Sequence, residues 1–445
     1  MAINPTSGCP QVSLIIPTHN RSLDLSRSLE ALSRQTLGKD RFEVIVVADG
    51  CRDDTAQVAR RFADVFHLQL IEQPNAGPAV ARNRGASAAS AGLLVFLDDD
   101  VEAFPRLLEA HLEAHAHVDG EQVVIGYLPP VLEEQKGFFR IELHGWWERM
   151  FQELRQPDRR MRYSDLLSGN FSISKRLFDE AGGFNPDLRC HEDYELGLRL
   201  LHRGVIFVYC EAATGYHHER SDLKRALVRK YEEGIADVQL GRLAAEIKPA
   251  LLMERLTRYA LFPSRILRRL AFRMSPFHPE RGGDGLARLM VWSLNVAESL
   301  GLYRTWQKLV NGQMGYWYWQ GVAQALGSLQ AADAFLQDLP APVDRQLELE
   351  LADGIAHAED LLDQTRPTSA LILYKGKRVC QIPYEAGSER LRGVHLRTIL
   401  PTRYPVSLLR AMAQDPAFPF PAVREALIAR TQAYLEKTPE ESLDA

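Results

Sequence analysis

A chain of 445 residues is too long for one ordinary hydrophobic core, so two or three domains are expected. With 46% hydrophobic and 25% charged residues it has the composition of a soluble globular protein, and a formal net charge of -5 argues against nucleic acid as the main partner. Five scattered cysteines (Cys9, Cys51, Cys190, Cys210, Cys380) lack metal-ligand spacing and fit a reduced, cytosolic compartment. Residues 1–11 carry no basic region and no apolar signal core. No apolar run approaches the roughly 18 to 20 residues of a membrane span.

In chain order, residues 12–17 read as a first strand ended by Pro17, with Thr18-His19-Asn20-Arg21 as its loop. A helix is expected over 22–35, with Leu23, Leu25, Leu29 and Leu32 on its apolar face. Residues 42–47 form a second buried strand, turned by Asp49-Gly50-Cys51-Arg52-Asp53-Asp54-Thr55. A helix over 55–66 and a short strand over 68–71 follow, then Asn75-Ala76-Gly77-Pro78 opens an Ala-rich helix over 79–91. Alternation at this spacing predicts βαβ units and a mainly parallel sheet.

Residues 93–97 are five apolar residues in a row, the pattern of a strand buried on both faces. Asp98-Asp99-Asp100 then stand at its carboxyl end, where open α/β sheets place ligands. Taken alone, such a triplet reads as a solvated turn. Three adjacent carboxylates nonetheless repel one another and invite a hard divalent cation with its substrate phosphates. Further along, 123–127 is another strand, and the stretch containing Trp146 and Trp147 reads as less regular. Residues 163–174 read as a loop entering a strand, and 178–181 as a short helix closed by Gly182-Gly183-Phe184. His191-Glu192-Asp193 opens a helix to about 203, and 205–209 is a strand before Gly215-Tyr216-His217-His218.

A dinucleotide-binding oxidoreductase is excluded, because Pro17-Thr18-His19-Asn20-Arg21 has no glycine to bring a pyrophosphate onto a helix. A P-loop is absent too, as is the Gly-rich basic loop of sugar nucleotidyltransferases. The series Pro17-Thr18-His19-Asn20-Arg21, Asp49-Gly50, Gly77-Pro78-Ala79-Val80-Ala81-Arg82-Asn83, Asp98-Asp99-Asp100, Gly182-Gly183-Phe184, Glu192-Asp193 and a late His resembles the family-2 glycosyltransferases of the GT-A fold over residues 11–220. No single element is specific; their order and spacing are.

The resemblance implies a GT-A type nucleotide-binding sandwich with a mainly parallel central sheet over 1–220. It implies transfer of a hexose from a nucleotide-diphosphate sugar, a UDP-sugar first among them, to the hydroxyl of a glycan, lipid-linked or other acceptor, with inversion. The cofactor implied is Mn²⁺ or Mg²⁺ and the setting polysaccharide or glycoconjugate biosynthesis. Carried over residue by residue, Pro17, Thr18, Asn20, Arg21, Asp49 and Arg82 belong to the nucleotide side, Asp49 as acceptor of a base hydrogen bond. Asp98 and Asp99 orient ribose and metal waters, Asp100 ligates the metal as the last acid of a DXD motif, and Asp193 is the general base. A late His completes the metal site; of His217 and His218, the lean is to His218. Ala48 and Cys51 depart from the family pattern and loosen the base preference. The non-catalytic alternatives are plain: Asp49 as a turn acid, Glu192 and Asp193 as helix caps, Arg82 and Arg84 as solvated charges. Trp146 and Trp147 read either as a stacking face for an acceptor sugar or, for at least one, as core. The rival functions are a non-catalytic nucleotide-sugar-binding protein and a nucleotidyltransferase.

Beyond about 221 the resemblance fades and the chain turns helical. Arg255, Arg258, Arg265, Arg268, Arg269 and Arg273 recur without an acid between them, either on a helix packed against the catalytic domain or on one lying against anionic lipid at the inner face of a membrane. Gly282-Gly283-Asp284-Gly285 reads as a loop, with helices over 286–300, 303–312 and 316–336 and Trp292, Trp306, Trp317 and Trp319 in the core. A helical region over 221–338 is thus followed by a small α/β unit over 339–445, with a linker at 339–342, a β-hairpin around Lys375-Gly376-Lys377 and a loose acidic tail.

Overall fold

A computed structural model describes residues 10–116, 120–131, 137–258, 262–273, 285–339 and 346–415. The chain forms two compact units. One takes in residues 1–155 and 162–340, the other 156–161 and 341–445. The helices between residues 221 and 338 therefore share one unit with the sheet. The expected linker from residue 340 onward, the loop at 282–284 and the acidic tail lie outside the described residues.

The first unit is built on eight strands: β1 Val12–Thr18, β2 Phe42–Asp49, β3 His67–Gln73, β4 Leu93–Leu97, β5 Val101–Ala103, β6 Gln122–Tyr127, β7 Asn170–Ser174 and β8 Ile206–His217. They lie in the order β3-β2-β1-β4-β7-β6-β8-β5. The first four are parallel, β7 runs against both its neighbours, and β6 and β8 are parallel again. This is the mixed, mainly parallel α/β sheet expected of the GT-A type. The order turns back between β1 and β4, so the loops after these two strands open at one crevice. The loop after β1 carries Asn20 and Arg21; the loop after β4 carries the three acids.

β4 is fully buried because both faces are covered. Phe96 stacks on Phe171 at 4.8 Å and meets the edge of Phe184 at 5.4 Å, an aromatic cluster that fixes the strand just ahead of Asp98. Two of the sequence motifs meet here. Asn83 donates from Nδ2 to the Phe184 carbonyl and accepts from the Phe184 N–H, each at 2.8 Å. The helix carrying Asn83, Pro78–Ala88, begins with Pro at its first position and lies close to the sheet through Gly85, whose added Cβ would strike Ile15. The first helix is shorter than expected, Ser22–Leu32, and its Leu23 faces solvent.

Other expectations are corrected. The stretch around Trp146 and Trp147 is regular: Phe138–Leu154 is a 17-residue helix. Gly312 and Gly315 do not break the later helix, which runs through from Tyr303 to Leu326. Trp306, Trp317 and Trp319 are buried, but Trp292 on the helix Gly285–Ser299 is 61% exposed. The basic stretch forms Leu252–Arg258 and Phe262–Arg273; in the latter Arg268 pairs with Asp333 at 2.5 Å and sits over the Trp319 ring at 4.5 Å, while Ala271 is buried. Among the described residues no helix is long and apolar enough to cross a membrane.

The helices Leu223–Leu243 and Tyr303–Leu326 cross at two glycines. A Cβ on Gly234 would overlap the Tyr318 carbonyl oxygen, and one on Gly321 would overlap that of Tyr231. The crossing seats the Tyr318 hydroxyl on Asp237 Oδ2 at 2.5 Å.

In the second unit β10 (Ser369–Tyr374) and β11 (Lys377–Ile382) make the expected hairpin, turned by Lys375 and Gly376 at φ 50° and 73°. An unexpected strand, β9 (Gln346–Glu350), pairs parallel to β10 after the crossover helix Ile355–Thr365. Arg160 belongs to this unit, donating from Nε to the Glu389 carbonyl at 3.0 Å.

Candidate active site

The acids at the end of β4 are held apart by different partners. One guanidinium nitrogen of Arg21 donates to Asp99 Oδ1 at 2.9 Å and to Asp100 Oδ2 at 2.8 Å. Asp98 accepts instead from Arg82, at 2.8 Å on Oδ1. Burial pushes the Asp99 carboxyl up to about 7, although Arg21 pulls the other way. Burial also opposes charge on Asp100, but there His217 and Arg21 prevail and hold it below the usual carboxylate range. Two guanidiniums, Arg21 and Arg82, and the His217 imidazole face the triplet, with Arg82 shared between Asp98 and Glu192.

His217, not His218, faces the triplet. Its Nε2 stands 3.4 Å from Asp100 Oδ1, whereas His218 Nε2 bonds Glu102 at 3.0 Å. Successive strand residues point to opposite faces, so one of the two had to turn away. Parity along β8 is unreadable in sequence because the register with β6 jumps from Cys210 to Thr214 opposite Gly126 and Tyr127.

The pair suits a divalent cation. Asp100 Oδ1 is buried without a close hydrogen bond, 3.4 Å from His217 Nε2, which places an oxygen and a nitrogen ligand atom side by side. Among the described residues no group of three or more His, Cys, Asp or Glu forms a metal cage, so other positions would fall to phosphate oxygens and water.

On the other side of Asp98, Arg82 is buried and bridges to Glu192 Oε1 at 2.9 Å. The expected nucleotide-facing arginine thus ties the strand end to the start of the helix Glu192–His202. Burial and the neighbouring Asp193 raise the Glu192 carboxyl, against the pull of Arg82. Asp193 is half-buried, and both its oxygens accept backbone N–H groups, from Tyr194 at 2.9 Å and Ser168 at 3.2 Å. Gly169 lets that loop pass the acids: a Cβ there would come within 2.9 Å of Asp98 Oδ2.

A residue that sequence reasoning did not single out, His191, precedes this helix in a left-handed conformation at φ 62°. Its ring stacks on Tyr194 at 4.3 Å, and Nδ1 stands 3.5 Å from Asp237 Oδ1. Burial would lower its pKa, yet Asp237 outweighs burial and raises it.

Asp49 ends β2 as a loop organiser. It accepts from Gln73 Nε2 at 2.9 Å and from the backbone N–H groups of Ala76 and Gly77, both at 2.8 Å. Thr18 is buried at the end of β1, next to half-buried Pro17. Asn20, at φ 52°, accepts from Arg52 N at 2.7 Å and so joins the first two loops.

Residues 13–182 match the family described as Glycosyl transferase family 2. Validoxylamine A glucosyltransferase of Streptomyces hygroscopicus subsp. jinggangensis is 33% identical over 247 residues, 48% of this chain and 58% of that protein. Chondroitin synthase of Escherichia coli is 24% identical over 238 residues, 47% of this chain and 34% of that protein. Among solved structures, the mannosyltransferase PcManGT from Pyrobaculum calidifontis, in complex with GDP-Man and Mn²⁺, aligns over 70% of this chain and 86% of that one, at 19% identity and a TM-score of 0.45. The matches thus span only 58% and 34% of the two curated relatives. The stretch that matches this family, residues 13–182, carries the acids of β4.

Proposed function

We propose that the chain is a metal-dependent, inverting glycosyltransferase that moves a hexose from a nucleotide-diphosphate sugar to an acceptor hydroxyl by single displacement. The observation that carries this reading is the division of acids around the end of β4. Asp100 faces His217 on one flank, and Asp98 is joined through Arg82 to Glu192, next to Asp193, on the other. The likeness to a glucosyltransferase supports hexosyl transfer and leaves the acceptor class open to glycan, lipid-linked and other hydroxyl compounds.

Asp100 and His217 would hold Mn²⁺ or Mg²⁺, which supplies positive charge to the departing diphosphate. Arg21, already bridging Asp99 and Asp100, adds a fixed cation at the same place. Asp49 shapes the 75–77 loop under the base and keeps lone pairs for a base N–H. Asp193 takes the acceptor proton. Its two backbone N–H donors fix the carboxylate's direction, and its exposure suits it to meet substrate better than buried Glu192. We place the protein in the cytoplasm, in keeping with the free Cys51, Cys190, Cys210 and Cys380.

The test is nucleotide release from a panel of sugar nucleotides, with and without Mn²⁺, Mg²⁺ and an acceptor extract. Cation-dependent release that an acceptor accelerates is expected. Nucleotide binding without release from any donor would leave a binding protein in its place.

A further inference from the structure

The helix Phe138–Leu154 presents two adjacent indoles with opposite fates. Trp147 is 7% exposed and sets its ring against the His217 ring, 5.1 Å between centroids at 89°. Trp146 is 44% exposed and rests edge-to-face on Trp147 at 4.9 Å. Trp146, Trp147, His217 and Asp100 thus form one continuous line of contacts from solvent to the acid triplet.

Polar groups along this line lack partners. Trp147 Nε1 and His217 Nδ1 are both buried without a hydrogen bond. A buried indole N–H ordinarily finds an acceptor, and leaving one unmet is costly. Trp146, at the solvent end of the line, keeps 44% of its surface exposed. Glu142 and Arg149, one turn before and after Trp146, stand 3.9 Å apart and largely cancel in charge.

We propose that Trp146 is the acceptor platform of this site: a neutral six-membered ring bearing hydroxyls, a pyranose or a cyclitol, stacks on it and is thereby held at the solvent end of the Trp146–Trp147–His217 line. The inference rests on the glycosyl-transfer reading of the same site. The chemistry follows from the surface. An exposed indole offers an electron-rich face to the C–H side of such a ring, with polar groups at the rim for its hydroxyls. A strongly anionic acceptor finds no net positive charge in the Glu142 and Arg149 pair.

The experiment uses the full chain with methyl α-D-glucopyranoside and myo-inositol as probes, and compares wild type with W146A and W146F. Acceptor-stimulated nucleotide release from the active donor should show an acceptor KM raised about three- to tenfold in W146A, and within about twofold of wild type in W146F. Donor KM and the Mn²⁺ dependence should follow wild type in W146F, which separates acceptor stacking from a disturbance passed through Trp147 to His217. Fluorescence titration with the same probes reads the platform without turnover: a saturable change in wild type that is missing from W146A supports it. A wild type whose fluorescence ignores both probes overturns it, as does an unchanged acceptor KM in W146A. Failure of every donor to release nucleotide would instead remove the glycosyl-transfer reading, while the titration still decides whether Trp146 binds a ring.

Discussion

His217 brings Nε2 to 3.4 Å from Oδ1 of Asp100, across the junction between the end of β8 and the loop after β4. If this pair holds the cation, Asp100→Ala should abolish transfer and weaken donor binding. His217→Ala should raise the Mn²⁺ concentration needed for half-maximal activity by tenfold or more, on the order of 1.4 kcal/mol or above. His218→Ala should stay within a few-fold, because that ring is bonded to Glu102. Metal titration of initial rates separates the three. Full activity in a chelator would take the metal out of the account.

Asp193→Asn keeps the size and one of the two acceptor oxygens, its NH2 group then facing either the Ser168 or the Tyr194 N–H, and it cannot take a proton. Loss of a general base typically costs about 10² to 10⁴ in rate, roughly 3 to 5 kcal/mol in the barrier. Donor affinity measured by calorimetry should change no more than a few-fold. A variant that transfers normally would move the base elsewhere, and one that loses donor binding would make Asp193 a structural cap.

Acid should loosen the fold through His111. Its Nε2 meets Asn170 Oδ1 at 2.9 Å and its Nδ1 meets Ser172 Oγ at 2.8 Å; His115 Nε2 reaches the same hydroxyl at 2.9 Å. Asn170 donates its own N–H to the Ala213 carbonyl, so its oxygen accepts, and the chain of bonds settles on neutral rings. Burial lowers both histidines to about 4. The unfolded chain therefore binds protons that the folded one refuses. The stabilisation is complete above about pH 6.5 and is lost as pH falls toward about 4, on the order of 3 kcal/mol for fully buried His111. Urea unfolding at pH 7 and pH 5 measures the slope, and His111→Gln should flatten it.

The basic helix Phe262–Arg273 has its inner side occupied by Arg268 and Ala271, while Arg265, Arg269 and Arg273 face solvent. Any lipid contact through it should be electrostatic. Cosedimentation with anionic vesicles at low salt should fall steeply as salt rises, and Arg268→Ala should lower Tm without changing the bound fraction. Equal recovery with neutral and anionic vesicles would leave this helix with a packing role alone.

The parts of the fold that sequence reveals are those whose burial is simple. β1, β2 and β4 are covered on both faces and read as unbroken apolar runs. β5 is three residues long and leaves no pattern. The helix Phe138–Leu154 hides behind Gly145 and crowded aromatics that follow no clean period, which is why its two tryptophans looked irregular. Trp292 was assigned to the core on composition, which cannot say which side of an amphipathic helix a ring takes. At the site, Asp98 to Asp100 and Asp193 are legible only through the order and spacing of the whole series, since each alone reads as a turn or a helix cap. The links between them were not legible, since Arg82 to Glu192 spans 110 positions. The family match over residues 13–182 supports the resemblance without testing any single residue's role.

The two glycines at the crossing of Leu223–Leu243 and Tyr303–Leu326 bear on tolerance rather than on chemistry. Slack accumulates at each joint of an assembly, and here the run from helix crossing to the Asp193 carboxylate has few joints. Tyr318 rests on Asp237, Asp237 on His191, and His191 begins the turn that carries Asp193. Backbone seated on backbone removes the joint at which a side chain could wobble. A methyl group at either glycine would push the helices apart, and the displacement would pass along three contacts with little to absorb it. Distant parts of the chain thus serve as a gauge block for a group they never touch, and grafting residues 13–220 without those helices would forfeit the setting.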